Sequence, residues 1–272
     1  VPRFAKHAFR IALNGKPGPV GLIIPEDIFN SELLMLKHFL PETEGSCSIN
    51  ACRNAPTQQE VDGAVNLILE NARISIFCGS RAVTSGSYEE IKKLAELLDA
   101  PVFCTIDGKG IMKEDDPHYF GIVGLFGESL NNRFIRSGTE LVISIGNRLT
   151  EDDTAFFKYP PTYKPMIEIN VNPEEIGLSY QSIGVAGDCK LALQMIVERV
   201  EKYLLNHPFN EGLITKRKKS LKKLRKRIVT YRETDKEKWI DVEPIKPQRI
   251  LYALNQIMDE HDYLVTDASA SS

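Results

Sequence analysis

Glu140-Leu141-Val142-Ile143-Ser144-Ile145-Gly146-Asn147-Arg148 decides how the middle of the chain is read. Its apolar run ends in a glycine followed at once by polar residues, as a parallel strand buried on both faces does when it hands its loop to a ligand crevice. Working outward, Ile74-Ser75-Ile76-Phe77-Cys78-Gly79 and Pro101-Val102-Phe103-Cys104-Thr105 read as similar strands upstream. Met166-Ile167-Glu168-Ile169-Asn170-Val171 and Gly184-Val185-Ala186-Gly187-Asp188 add two more downstream. Helical patterns lie between them, so the expected fold class is α/β, a Rossmann-like doubly wound parallel sheet with partial flanking α/β segments.

The helices are legible from their apolar spacing. Val61, Ala64, Val65, Ile68 and Leu69 share one face of a helix that Thr57 caps, with Glu60 in the capping-box position. Ile91, Leu94, Ala95 and Leu98 mark a second helix, 128–137 a short third, and Leu191, Leu193, Ile196, Val197 and Val200 a long fourth.

A chain of 272 residues has room for one or two domains, and its net charge of −3 gives no general reason to expect nucleic acid or a membrane surface as partner. No apolar run is long enough to span a bilayer and the first residues do not start a signal peptide, so a cytoplasmic protein is expected. The five cysteines lack metal-type spacing. Cys78 and Cys104 fall inside buried strands as small hydrophobes, and Cys47 with Cys52 is a candidate redox pair, set against the expectation that an intracellular chain keeps such thiols reduced.

The flanks have a different character. Residues 1–13 form an amphipathic helix, Asn14 to Pro19 turn the chain, and Val20-Gly21-Leu22-Ile23-Ile24 reads as a strand. One helix and one strand cannot close a core, so they are expected to belong to another sheet. Residues 26–56 read as a surface connection. Nine cations crowd residues 216–227, with Leu221, Leu224 and Ile228 along one face. Without interleaved aromatics, and with acids following, this helix is expected to lie solvated on the surface rather than to bind nucleic acid. Residues 247–258 form another amphipathic helix and Asp262 to Asp267 a last strand.

Candidate ligand-binding residues sit where strands end. Gly79, Ser80 and Arg81 precede a helix, where backbone N–H groups can meet a phosphate or the glycine can simply make the turn. Lys109, between Gly108 and Gly110, can meet an anion or project into solvent. Arg148 suits a phosphate or carboxylate but can pair with Glu151, Asp152 or Asp153. Asn170 and Asn172 are candidates to hold a ribose.

In order and spacing, these segments resemble the thiamine-diphosphate-dependent decarboxylase and carboligase family, in its acetolactate synthase large-subunit-like branch. The segment Ala8 to Asp27 is similar to the end of the family's pyrimidine-binding domain. Gly108-Lys109-Gly110, Asp116-Pro117, Gly146-Asn147-Arg148, Asn172 to Gly177 and Gly187-Asp188 are similar to its central domain, and Thr266-Asp267 to the start of its diphosphate-binding domain. The resemblance implies residues 1–29 as the end of the first domain, 30–56 as linker and 57–205 as the central domain. Residues 206–245 follow as a charged helical linker and 246–272 as the start of the third domain.

The resemblance further implies an enzyme that uses thiamine diphosphate and Mg²⁺ to act on a 2-oxo acid, working as a homo-oligomer. The family's catalytic glutamate would precede Val1 and its metal motif would follow Ser272, so this polypeptide alone is expected to be catalytically silent. Carried onto this sequence, the family's central-domain ligand, FAD or an ADP-type nucleotide, would be surrounded by Gly79, Ser80, Arg81, Thr105, Lys109, Gly110, Gly124, Gly127, Gly146, Arg148 and Asp188. The chain departs from the FAD branch at Ser80-Arg81, at Leu125-Phe126 and after Arg148. The alternative is a stand-alone nucleotide- or protein-binding module of the same fold, which would tuck residues 20–24 and 263–266 into the central sheet.

Overall fold

The computed structural model describes residues 2–31, 53–234, 242–259 and 261–265, so the Cys47/Cys52 pair and Thr266-Asp267 lie outside the described residues. Two compact units are formed, residues 1–221 and 222–272. The first holds a parallel sheet of six strands, β1 (Ile74–Cys78), β2 (Val102–Cys104), β3 (Tyr119–Ile122), β4 (Leu141–Ile145), β5 (Met166–Asn170) and β6 (Ser182–Ala186). They are ordered β3-β2-β1-β4-β5-β6, the order of a doubly wound dinucleotide fold.

The stretch 140–148 delivers β4 at the sheet's centre, every residue of the strand buried, with Ile76 opposite Ile143 on one side and Ile167 opposite Ile143 on the other. On one face, α3 (Gln58–Glu70), α5 (Tyr88–Leu98) and α8 (Cys189–Asn206) bury Ile68, Leu94 and Ile196 against Ile76, Ile143 and Ile169. Each fully buried Ile or Leu contributes about 1.5–3 kcal/mol. The other face carries Phe77, Phe103, Val142 and Glu168, and α6 (Ser129–Ser137) is docked there by Phe134, whose ring lies 6.0 Å from that of Phe103.

The capping box expected at Thr57 is formed: the Glu60 N–H donates to Thr57 Oγ1 at 3.3 Å and the Thr57 N–H to Glu60 Oε2 at 2.7 Å. Glu60 Oε1 also accepts from the Ala186 N–H, tying α3 to β6. Burial opposes its charge, yet the bonds from Thr57 and Ala186 hold the carboxyl below its ordinary value.

Several expectations are corrected. Ser80 and Arg81, expected to precede a helix, are themselves in a short one, α4 (Ser80–Thr84). The connection after β2 contains a strand, β3, which the glycine at its third position concealed. The strand expected at Val20–Ile24 is not formed, and these residues lie without regular secondary structure between α1 (Pro2–Leu13) and α2 (Glu26–Phe29). Residues 262–265 likewise pair with nothing among the described residues. Among the described residues the sheet consists of the six strands β1–β6 alone.

The basic segment lies in α9 (Glu211–Thr234), which is followed by α10 (Pro247–Ile257). It is not simply solvated. Arg217 is 6% exposed, donates from Nε to the Ala72 carbonyl at 2.6 Å and from Nη2 to that of Asn71 at 3.1 Å, and lies 4.4 Å over the Phe209 ring. Those carbonyls close the C-terminal end of α3, where a cation is favoured. No described helix is long and apolar enough to cross a membrane.

Candidate functional site

The chain crosses from β1 towards β2 on one side and returns to β4 on the other, which makes the β1–β4 boundary the topological switch point. The loops after both strands meet there. The Gly79 N–H donates to the Ile145 carbonyl at 2.9 Å and the Arg81 N–H to that of Gly146 at 3.2 Å. A Cβ on Gly79 would lie 2.3 Å from Asn147 Oδ1, and one on Gly146, whose φ is +62°, would lie 2.5 Å from the Ala82 nitrogen. Both glycines therefore serve backbone-on-backbone contact, and the Arg81 N–H is used within the protein.

Asn147, to which the sequence attached no role, fixes this mouth. It is 5% exposed, donates to the Phe77 carbonyl at 2.6 Å and to Ser144 Oγ at 3.0 Å, and leaves Oδ1 buried without a partner. Asn170, at the end of β5, donates to the Asn147 carbonyl at 2.9 Å and to Glu175 Oε2 at 3.1 Å. Glu175 is paired with Lys16. Burial opposes the Glu175 charge, but bonds from Lys16 and Asn170 and the nearby Arg81 cation hold its carboxyl below the ordinary value.

Two cavities flank this knot. The smaller, about 120 Å³, is lined by Arg81, Arg53, Ser85, Val171 and Asp188. Arg81 is half-buried and its Nε is buried without a partner. Asp188 caps α8 by accepting from the N–H groups of Lys190 at 3.1 Å and Leu191 at 3.2 Å, and is steadied by Arg53 at 3.3 Å. The larger, about 490 Å³, is lined by Arg148, Thr150, Glu151, Asp152, Phe157 and Glu175. Arg148 is exposed and makes no hydrogen bond or ion pair among the described residues, so none of the three acids that follow it neutralises it.

Two residues of this second cavity's lining, Leu149 and Phe157, and the two that precede Phe157 are held in a high-energy backbone. Leu149, Ala155, Phe156 and Phe157 all have φ between 48° and 60°, the left-handed region that side chains disfavour. The short helix α7 (Glu151–Thr154), capped by Thr150 and Asp153, separates Leu149 from the other three. Such outliers cluster at ligand sites and switch regions.

The remaining sequence candidates divide. Gly124 and Gly127 shape a loop fixed to the same cavity wall, the Leu125 N–H donating to the Asp152 carbonyl at 2.8 Å and the Asn132 side chain holding the Gly124 carbonyl at 2.9 Å. Thr105 reaches the mouth through its N–H to the Cys78 carbonyl at 2.9 Å. Lys109 is exposed, and Gly110 lines a separate cavity of about 450 Å³ beside Tyr88 and Lys92. Ser80 starts α4 next to the mouth.

Burial disfavours the thiolate of the buried cysteines, pushing Cys104 up to about 11 and Cys189 up to about 12. Glu168, which the sequence placed in a strand but not in a site, is 4% exposed; burial raises its carboxyl, with the Ser182 hydroxyl and Gly177 N–H opposing.

Residues 61–196, half of the chain, match the thiamine pyrophosphate enzyme central domain family. The chain belongs to that family. This thiamine pyrophosphate enzyme central domain is 31% identical over 265 residues to the "Probable acetolactate synthase large subunit" of Methanococcus aeolicus, covering 96% of the chain and 43% of that protein. It is 25% identical over 273 residues to a glyoxylate carboligase of Escherichia coli, covering 100% of the chain and 44% of that protein. The chain thus spans less than half the length of these relatives. Among solved structures, one described as a candidate thiamin diphosphate-dependent enzyme from Mycobacterium smegmatis superposes with a TM-score of 0.56 at 20% identity, over 73% of this chain and 37% of that one. At that identity the likeness concerns the fold, and it agrees with the doubly wound sheet.

Proposed function

We propose that this central domain serves a thiamine-diphosphate-dependent enzyme of the acetolactate synthase-like group that decarboxylates or ligates a 2-oxo acid, and that its strand-end crevice binds an ADP-containing nucleotide. The observation that carries the nucleotide claim is Arg148, exposed and unpaired in the wall of a cavity of about 490 Å³ beside the switch point of a doubly wound sheet. That volume falls in the range of small-molecule sites. The smaller cavity, about 120 Å³, has room only for a group the size of a phosphate, beside the buried Arg81 Nε.

Arg148 would hold phosphate oxygens, and Glu151 and Asp152, which line the same cavity, would accept from ribose hydroxyls. FAD fits the same residues as a longer ligand containing the same ADP half. Residues 1–29 are proposed as the end of a pyrimidine-binding domain, 30–56 and 206–245 as linkers, 57–205 as the central domain and 246–272 as the start of a diphosphate-binding domain. The apolar stretch Val20–Ile24, in no strand and with Ile23 93% exposed, supports that division.

Thiamine diphosphate, when bound, supplies the electron sink for such chemistry. Among the described residues no group of three His, Cys, Asp or Glu is placed to hold a metal ion. Titration calorimetry with ADP and with FAD tests the nucleotide claim. Saturable binding is expected, weakened about tenfold or more in Arg148→Ala, a loss of about 1.4 kcal/mol or more. Failure of both ligands to bind, or equal binding by the variant, refutes it.

A further inference from the structure

Glu168 is a carboxyl inside the sheet, 4% exposed, with Ser144 of β4 and Gly184 of β6 as its lateral neighbours. A carboxyl so placed costs stability unless it is fully paired or keeps its proton. Its pairing is only half complete. The Gly177 N–H is bonded to it and the Ser182 hydroxyl lies beside it, while Oε1 is buried without a hydrogen-bond partner. No described ion pair includes it. The surrounding elements bring no compensating charge: β4 and β6 contain no titratable side chain, α6 keeps Arg133 and Arg136 exposed, and Lys158, just past α7, is exposed too. Asp153 of α7 is engaged in its own helix cap, and Glu175, on the crevice side, is paired with Lys16. Tyr180, 2% exposed, is the titratable group coupled to Glu168, and burial raises that phenol so that it stays neutral.

What Glu168 holds is a wall of the larger cavity. Leu178 and Ser179, which line that cavity, sit between Gly177 and Ser182, the two residues that meet the carboxyl. Tyr180, in the same segment, stands edge-on to Phe157, another lining residue, with ring centroids 6.3 Å apart, and its hydroxyl donates to the Pro160 carbonyl at 2.9 Å. While residues 177–182 are seated, the carboxyl is shut away from water; when they lift, it is hydrated and its proton affinity returns to the ordinary range. The proton and the seated segment therefore favour each other, and by linkage so do the proton and any ligand that needs the wall in place. We propose that Glu168 is a positioning residue for the nucleotide crevice: in its neutral form it keeps residues 177–182 seated as a wall of the cavity, and loss of its proton releases them and weakens the ligand. This rests on the reading of the crevice as a nucleotide site. Binding is strongest at low pH and declines as pH rises past the ordinary carboxyl value of 4.5 and through the higher folded one.

Calorimetric titration of ADP into the whole 272-residue chain, at several pH values from about 5 to about 8, tests this against Glu168→Gln, which keeps the shape of the neutral form at every pH. Across that range the unaltered chain is expected to lose ADP affinity relative to the glutamine variant by at least about fivefold. Protons taken up or released by ADP itself affect both proteins alike and cancel in the ratio. Equal pH profiles in two proteins that both bind ADP overturn the proposal and leave the nucleotide reading standing. Should neither bind ADP, that reading falls, and amide exchange of the ligand-free chain decides whether Glu168 controls the wall. Protection at 177–182, corrected for the intrinsic pH dependence of exchange, is expected to fall as pH rises while that of β1 does not. The same measurement on the unaltered chain decides if the glutamine variant fails to fold. Protection at 177–182 that tracks β1 at every pH overturns the proposal.

Discussion

Glu168 stands in the middle of a strand, between Ile167 and Ile169, opposite Ser144 on one side and Gly184 on the other. Its Oε1 is buried without a hydrogen-bond partner. Because burial raises its affinity for a proton, the folded state binds more protons than the unfolded chain once pH passes the ordinary value of 4.5. The contribution of Glu168 to stability is therefore complete below 4.5 and falls as pH rises through the folded value. Denaturant titrations across that window should show the unaltered chain losing stability relative to Glu168→Gln as pH climbs. A constant difference between the two at every pH would contradict this assignment. Arg148 is the opposite kind of residue, exposed and without a hydrogen bond or ion pair among the described residues. Its alanine variant should keep the melting temperature while losing nucleotide affinity, a separation that thermal unfolding read alongside calorimetry would reveal.

At the scale of elements, helix ends govern how the pieces are joined. The Thr57–Glu60 box starts α3 and borrows the Ala186 N–H, while Arg217 closes the other end of the same helix from a distance of 145 residues in sequence. Arg217→Ala removes both hydrogen bonds and the contact with Phe209, and should cost about 2–4 kcal/mol in chemical denaturation. Lysine in its place should recover only part of this, since an ammonium cannot span two carbonyls with a planar fork. A loss below about 0.5 kcal/mol for either variant would show that the start of α9 is not anchored as described. This role was hidden in the sequence, where a run of cations gives no sign which one is buried. The apolar periodicity of α3, α5 and α8, and the Thr57 box, were by contrast plain, because capping and amphipathic spacing act over four residues and need no knowledge of the partner.

For the whole molecule, the central sheet was legible because its inner strands are continuous apolar runs ending in glycine, as in β4 and β1. The outer strand β3 was not, since Tyr119-Phe120-Gly121-Ile122 is short, glycine-containing and paired on one side only. Val20–Ile24 has the composition of a strand, and whether it pairs depends on a neighbour that local sequence does not specify. The site divides in the same way. Arg148 and the glycines of the mouth were marked by their place after strands. Asn147, Glu175 and Lys16 act through contacts between distant loops, the last two joined across 159 residues. Those contacts locate the crevice between the loops after β1, β4 and β5. Amide hydrogen exchange of the whole chain with and without saturating ADP tests that placement most directly. Slowed exchange confined to 123–127, 146–157 and 175–179 is expected. Protection elsewhere with these three segments unchanged, or no change anywhere, would contradict a nucleotide site at the strand ends.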